Sequence, residues 1–210
     1  MEIIKFDSKN LKIIIKKIKE GKVLAFPTDT VYGLIRDATN KKAVKRLFRI
    51  KKRRSKNPIP LFVKDIEMAK KIVRINRFQE DFLKTIWPGK ATIVLKRKKT
   101  KIKLYGIDKK TIALRIPNFR AINLLLKKMN IPLAESSANI SGKSASSNIK
   151  EVLKQFGYSY SHRRIRISRA KGERALSACP DLVVDAGNLP KNKPSTVLDL
   201  TIFPPKILRT

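Results

Sequence analysis

The chain has 210 residues and a mass of 24.0 kDa, enough for one ordinary domain with its own hydrophobic core. Fifty Lys and Arg residues against sixteen Asp and Glu residues give a net charge of +34, which attracts phosphates, nucleic acid or acidic membrane surfaces without choosing among them. A single Cys and a single His exclude a disulfide or a Cys/His zinc cluster within the chain, and no apolar stretch approaches the roughly 20 residues of a membrane span, so we expect a cytoplasmic protein with no membrane partner.

Helices that alternate with short buried strands are predicted along the chain. Apolar residues at helical spacing between Leu11 and Ile18, with Ser8 before them and Gly21 after them, predict the first helix. A buried strand from Lys22 to Phe26 follows. Further helices are predicted after the candidate capping residues Asn40, Asp65, Asn118 and Asn148. Further strands are predicted at Leu61 to Val63, Ala91 to Leu95, Thr111 to Arg115, Leu182 to Asp185 and Thr196 to Leu200.

This alternation predicts an α/β fold, with a twisted mixed β-sheet covered by flanking helices in one domain over residues 1–210. The segment from Tyr158 to Ser177 is Arg-rich and lacks clear periodicity, which predicts a mobile loop inside the domain. An RNA-touching arm is the alternative for this loop, because arginine stacks on bases and pairs with phosphates.

The segment PTDTVYGL, residues 27–34, combines small polar side chains with a Tyr and a Gly directly after a predicted strand. Loops at strand ends often hold ligands, so this segment is a candidate binding loop. A simple turn is the alternative, with Thr28 and Asp29 bonding their own backbone and Gly33 at a positive φ.

A basic segment, KKRRSKNP at residues 51–58, ends a predicted helix. If Lys51 and Arg53 reach one cleft, they form a clamp that neutralises a polyphosphate. A solvated charge run is the alternative in a chain this basic, since Lys covers many of its predicted surfaces. No Gly-rich phosphate loop precedes Lys51, so it is not a Walker lysine.

Three further segments place polar side chains beside predicted strands. SSANISG, residues 136–142, offers small hydroxyl and amide groups near a glycine, which suits a loop close to a nucleotide or an ordinary Ser-rich turn. TIALRIP, residues 111–117, ends a strand in Arg115, which serves either a ligand or a structural ion pair. PSTVLDLT, residues 194–201, begins a strand with two hydroxyl groups.

These five segments, with WPGKATIVL at residues 87–95, occur in the order and at the spacing that are typical of the YrdC-like family of threonylcarbamoyl-adenylate synthases. The chain resembles the short, single-domain form of that family from Ile13 to Arg209. The resemblance implies a YrdC-like fold with a basic concave cleft. It also implies a nucleotidyltransferase, L-threonylcarbamoyladenylate synthase, that uses L-threonine, bicarbonate or CO2, and ATP. Its product would supply the threonylcarbamoyl modification of the tRNA adenosine beside the anticodon.

Residue by residue, the resemblance implies that Lys51 and Arg53 are catalytic and hold ATP phosphates. The positions that match the ATP side of the family's site are Lys51, Arg53, Asn57, Thr111, Ser137, Asn139, Ala145 and Arg209. The positions that match the threonine side are Thr30, Phe62, Arg115, Glu135 and Ser195. Mg²⁺ is expected to arrive with ATP, because no carboxylate cluster lies near these motifs.

Three of these positions depart from the family pattern. The family often has His where Phe62 stands, a small residue where Glu135 stands, and Ser where Ala145 stands. His162 and Cys179 are expected to be bystanders, because the chemistry requires no nucleophilic side chain. Possible partners implied by the resemblance are tRNA or double-stranded RNA and a downstream tRNA threonylcarbamoyl-transferase complex. The alternative function is a double-stranded RNA or tRNA-binding protein of this fold without adenylate synthesis, which the net charge favours.

Overall fold

The computed structural model describes residues 1–52, 58–161, 164–167 and 179–210. The α-helices are α1 (Leu11–Lys19), α2 (Lys41–Lys51), α3 (Ile66–Lys70), α4 (Arg77–Ile86), α5 (Arg120–Met129) and α6 (Ile149–Gln155). The strands are β1 (Glu2–Lys5), β2 (Leu24–Phe26), β3 (Gly33–Asp37), β4 (Leu61–Phe62), β5 (Ala91–Lys96), β6 (Thr111–Arg115), β7 (Leu133–Ser137), β8 (Tyr158–Ser161), β9 (Arg164–Ile167), β10 (Leu182–Asp185), β11 (Thr196–Asp199) and β12 (Lys206–Arg209).

One large mixed sheet organises the described residues. Its ten strands run in the order β1-β10-β2-β3-β7-β4-β6-β5-β11-β12. The sheet contains both parallel pairs, such as β5 with β11, and antiparallel pairs, such as β3 with β7. Strands that are far apart in sequence therefore become neighbours, which brings their ends and the loops beyond them together.

Helices cover both faces of this sheet. The residues of β2 show the division, because Leu24 and Phe26 pack with α1 and α5, whereas Ala25 packs with α2 on the opposite face. This follows from the two-residue period of a strand, which sends successive side chains to opposite faces. The predicted α/β domain, with a twisted mixed sheet and flanking helices, is confirmed.

Capping residues explain where several helices begin. The side-chain oxygen of Asn40 accepts a hydrogen bond from the N–H of Ala43 at 3.0 Å, and Asp65 and Asn148 cap α3 and α6 in the same way. Two predicted caps are wrong. Asp7, not Ser8, caps the turn before α1, and α5 begins after Phe119 without a side-chain cap.

Two elements differ from the sequence prediction. Helix α4 was not predicted, although Asn76 and Gln79 form a reciprocal capping box that marks its start. The predicted loop from Tyr158 to Ser177 is wrong in its first part, because β8 and β9 pair there as an antiparallel hairpin. The alternation of Arg and Ile at residues 164–167 is the strand signal. The rest of the segment, residues 162–163 and 168–178, lies outside the described residues.

A buried guanidinium group lies inside the sheet region. Arg36 of β3 has no solvent exposure, and in the part of the chain that the structure describes none of its three guanidinium nitrogens has a hydrogen-bond partner. Burial lowers the pKa of Arg36 to about 9, although the negative charges of Glu135 and Asp37 oppose the shift. A buried charged donor without a partner destabilises the folded state, because it has lost its hydration without replacement.

We predict that Arg36→Met raises the free energy of unfolding by about 2 kcal/mol, because it removes the uncompensated charge and keeps an unbranched side chain. Urea unfolding followed by circular dichroism measures the change. Arg49→Met on the exposed side of α2 is the control and should leave stability near its starting value. A less stable Arg36→Met protein would show that the guanidinium has a favourable interaction in the folded state.

Candidate active site

Loops and strand ends from distant parts of the chain enclose a cavity of about 670 Å³. Thr30, Arg115, Ser137 and Ser195 line it together. Its described lining also includes Lys51, Lys52, Thr92, Glu135, Ser141, Gly142 and Arg209. The enzyme hypothesis requires these segments to converge, and in the structure they do.

The loop before β3 is held by a hydroxyl group and by Tyr32. Thr28 Oγ1 donates to the carbonyl oxygen of Val31 at 2.6 Å and accepts from the N–H of Thr30 at 3.0 Å. The Tyr32 hydroxyl donates to the carbonyl oxygen of Gly187 at 2.8 Å. Burial raises the pKa of Tyr32 to about 12, so this hydroxyl remains a donor near neutral pH. The loop is a Thr-stabilised turn, and it also presents Thr30 to the cavity.

A buried ion pair joins this loop to the end of β6. Arg115 Nη2 lies 2.7 Å from Asp29 Oδ1, with only 4% and 8% of the two side chains exposed. Arg115 Nε donates to the carbonyl oxygen of Gly89 at 2.9 Å, and Asp29 Oδ2 accepts from the N–H of Asn118 at 3.0 Å. Asp29 therefore bonds beyond its own loop, which corrects the turn interpretation for this residue. The Arg115 guanidinium carbon lies 5.8 Å from the ring centroid of Phe62.

The last residue of α2 reaches the loop that follows β7. Lys51 is 3% exposed, and its Nζ donates to the carbonyl oxygen of Ser137 at 2.7 Å and to Asn139 Oδ1 at 2.7 Å. The carbonyl oxygen of Lys51 accepts from the N–H of Ser141 at 2.9 Å. These acceptors of the ammonium are uncharged, so neither neutralises it. Lys51 thus carries positive charge to the cavity wall and fixes the loop beside it.

Arg209 of the edge strand β12 holds the opposite wall. Its Nη2 donates to the carbonyl oxygen of Ser195 at 2.8 Å, and its Nε is 3.3 Å from the same oxygen. The Ser195 hydroxyl is hydrogen-bonded to the Thr92 hydroxyl at 2.8 Å. The carbonyl acceptor is uncharged, so this hydrogen bond does not neutralise the guanidinium group.

One carboxylate, Glu135 of β7, is present in the described lining. A Cβ atom at Gly33 would lie 3.2 Å from its Oε1 and 3.3 Å from Thr28 Cγ2, so any larger residue at position 33 would have to displace these side chains by a few tenths of an ångström. Gly33 is not at a positive φ, so close approach and not backbone conformation requires it there. Burial raises the pKa of the Glu135 carboxyl. The positive charges of Arg115, Lys51 and Arg209 oppose this shift, and the negative charge of Asp29 adds to it.

Several predicted contact residues do not line this cavity. Phe62 is 1% exposed and packs in the core beneath α1 and α5. Thr111, at the start of β6, is hydrogen-bonded to Asp108. Asn139 does not line the cavity itself but is hydrogen-bonded to Lys51, which does. Ala145 is also absent from the lining. Their ligand contacts stay predictions.

Arg53, Asn57 and His162 lie outside the described residues. Within the described ranges, no group of three or more His, Cys, Asp and Glu side chains could hold a metal ion. The helices in the same ranges are all too short or too polar to cross a bilayer.

Two residues of the site were missed from the sequence: Asp29, which pairs with the cavity residue Arg115, and Thr92, which lines the cavity. Asp29 appeared only as a turn residue, because its partner Arg115 is far away in the chain. Thr92 is a polar residue in the apolar run of β5, where Ile93 and Leu95 are buried and Thr92 and Val94 face the cavity. A polar residue on one face of an otherwise apolar strand was the available signal.

We predict that Asp29→Asn lowers the free energy of unfolding by about 3 kcal/mol, because it leaves the buried Arg115 charge without its partner. Urea unfolding provides the measurement. The matched control is Glu2→Gln, which breaks the exposed pair with Lys17, whose atoms are 2.9 Å apart, and should leave stability unchanged. Equal small effects in both variants would contradict the view that the buried pair holds the site together.

Comparison with known proteins agrees with this geometry. Residues 16–163 match the model of the Sua5/YciO/YrdC family, which is described as telomere recombination. The chain is 33% identical over 195 residues to threonylcarbamoyl-AMP synthase of Pyrococcus abyssi, covering 91% of this chain and 51% of that protein. It is 28% identical over 180 residues to threonylcarbamoyl-AMP synthase of Vibrio vulnificus, covering 80% of this chain and 97% of that one.

The fold also matches a solved structure. A crystal structure of P. abyssi Sua5 in complex with L-threonine superposes with a TM-score of 0.80 at 30% identity, covering 99% of this chain and 56% of that one. The chain thus spans about half the length of the P. abyssi relative. With the family model matching most of its length, the chain belongs to the Sua5/YciO/YrdC family.

Proposed function

We propose that this protein is an L-threonylcarbamoyladenylate synthase, which makes threonylcarbamoyl-AMP and pyrophosphate from L-threonine, bicarbonate or CO2, and ATP. The observation that carries the proposal is the convergence of Thr30, Arg115, Ser137 and Ser195 on one cavity. Support also comes from relatives named threonylcarbamoyl-AMP synthase and from the related Sua5 that was crystallised with L-threonine.

The ATP phosphates would lie toward Lys51 and Arg209, whose positive charges are held by uncharged carbonyl and amide oxygens. Fixed cations of this kind stabilise phosphate charge without reorganising during the reaction. Arg53 is proposed to complete the clamp. The remaining proposed ATP contacts are Asn57, Thr111, Ser137, Asn139 and Ala145.

Threonine would lie toward Thr30, Ser195 and the end of β6. Arg115 is already paired with Asp29, so it would bind the threonine carboxylate, or its carbamoyl derivative, as part of a preformed pair. Glu135 would lie on the same side, and Phe62 would act from beneath Arg115 through its ring. Lys51 and Arg209 would thus supply positive charge to a triphosphate, whereas the Arg115–Asp29 pair carries both signs of charge, which suits a zwitterion.

The reaction would proceed without a covalent enzyme intermediate. The threonine amine adds to CO2 and gives N-carboxy-threonine. An oxygen of this new carboxylate then attacks the α-phosphorus of ATP in line, as the bond to the bridging oxygen breaks and pyrophosphate leaves. The protein supplies position and charge stabilisation.

Magnesium is proposed to enter with ATP and to be bound through phosphates and water, because the described cavity lining offers a single carboxylate. The adenylate is proposed to pass, in the cytoplasm, to a tRNA threonylcarbamoyl-transferase complex. There it would serve modification of the tRNA adenosine beside the anticodon.

The direct test is to incubate the protein with ATP, Mg²⁺, L-threonine and labelled bicarbonate, and to look for labelled threonylcarbamoyl-AMP and threonine-dependent pyrophosphate. The RNA-binding alternative, which the net charge of +34 favours, predicts binding to double-stranded RNA and no adenylate. Absence of adenylate under these conditions would reject the proposed enzyme.

We predict that Lys51→Ala slows pyrophosphate release at least about tenfold, because it removes a fixed positive charge from the phosphate end of the cavity. Steady-state kinetics measures the change, and circular dichroism verifies the fold. Lys45→Ala, at an exposed position of α2, is the matched control and should retain full activity. Near-normal activity of a folded Lys51→Ala protein would remove Lys51 from the catalytic set.

A further inference from the structure

Three positive side chains of the cavity already have partners in the protein. Arg115 is bonded to Asp29, and Arg209 is bonded to the backbone of Ser195. Lys51 is bonded to the backbone of Ser137. A ligand therefore meets cations that are fixed in place before it arrives.

The carboxylate of Glu135 is in the opposite situation. Among the described residues it makes no hydrogen bond and no ion pair, although it lines the same cavity as three partnered cations. The Glu135 carboxylate lies beside Gly33, where an added Cβ atom would be 3.2 Å from Oε1, so the glycine leaves room for the carboxylate. An unpaired carboxylate with reduced hydration is costly, and a ligand that donates hydrogen bonds or carries positive charge would offset that cost.

The amino-acid substrate of the proposed reaction carries one such group. L-Threonine enters as a zwitterion, with a carboxylate and an α-ammonium group that has three N–H donors. The carboxylate suits the Arg115 side of the cavity, whereas the ammonium requires an anion beside it. The carboxylate of Glu135 is the anion that the described lining offers.

We propose that Glu135 binds the α-ammonium group of the amino-acid substrate and accepts one of its protons. This inference rests on the proposed function. It gives a task to the one carboxylate that the described cavity lining contains.

The proton balance of the step is complete. One ammonium proton passes to a Glu135 oxygen, which leaves a neutral amine with a free electron pair. That pair attacks the carbon of CO2, a nitrogen–carbon bond forms, and one C=O π pair moves to oxygen. The second proton on nitrogen passes to water, giving the carbamate. Glu135 is then a neutral carboxylic acid, which no longer repels the new carboxylate and can donate a hydrogen bond to it.

Electrostatics around Glu135 agrees with this role. Its pKa is raised by burial, which favours the protonated acid once it has taken the proton. The positive charges of Arg115, Lys51 and Arg209 limit that rise, and the negative charge of Asp29 adds to it.

Calorimetry of Glu135→Gln tests the inference, because the amide keeps the shape of the side chain and loses the charge. We expect its affinity for L-threonine to fall about tenfold or more, in line with loss of a charge-assisted hydrogen bond. Its affinity for the deaminated analogue of threonine, in which hydrogen replaces the ammonium group, should not fall. Glu135→Asp should recover part of the threonine affinity. Glu67→Gln, at an exposed carboxylate on α3, is the matched control and should bind like the unmodified protein.

Other outcomes separate this inference from the proposed function. Unchanged threonine binding by Glu135→Gln, or equal losses for threonine and its deaminated analogue, would overturn the ammonium assignment alone. Loss of Mg²⁺-ATP binding with threonine binding intact would make Glu135 a magnesium ligand and also overturn it. If the unmodified protein binds no threonine, the proposed function fails and the inference fails with it.

Discussion

The buried ion pair between Asp29 and Arg115 fixes the shape of the cavity, because it joins the loop before β3 to the end of β6. Each partner is also tied to the backbone, Arg115 through Gly89 and Asp29 through Asn118. A buried pair repays the loss of hydration only when such additional hydrogen bonds satisfy both ions. These bonds meet that condition, so the walls on this side are held in one arrangement before a ligand binds.

The way in which each cation is held gives the cavity its polarity. Arg115 is neutralised by a carboxylate, whereas the protein oxygens bonded to Lys51 and Arg209 include backbone carbonyls that carry no charge. These hydrogen bonds do not neutralise the latter two groups, which is why the ATP phosphates are proposed to lie beside them. The effect of a cation on a ligand therefore depends on whether the protein group that accepts its hydrogen bond is a carboxylate or a neutral carbonyl.

The sequence predicted the segments of the site better than the contacts within them. Helix α2 was predicted because Asn40 caps it and its apolar residues follow a 3.6-residue period, both of which are local signals. The hydrogen bond from Lys51 to Ser137 and the pairing of Asp29 with Arg115 depend on strand order, which the local pattern does not contain. Helix α4 was missed although Asn76 and Gln79 gave a local signal, so that omission was avoidable. The two-residue period of β4 places Phe62 on a core face beneath Arg115, which the sequence did not indicate, and its contact with a ligand stays a prediction.

Because acidic residues are scarce in this chain, the lack of an ion-pair partner for Glu135 among the described residues is informative. With fifty Lys and Arg residues against sixteen Asp and Glu residues, a surface carboxylate readily finds a cation, as Glu2 does with Lys17 and Glu67 does with Lys70. Glu135 lies in a cavity that four cations also line, and three of them, Arg115, Lys51 and Arg209, are bonded to other groups of the protein. Since Gly33 leaves the space that this carboxylate occupies, its position is built into two neighbouring strands. A carboxylate left unpaired among so many cations keeps its oxygens available, and this is the ground for its proposed contact with the ammonium group of the substrate.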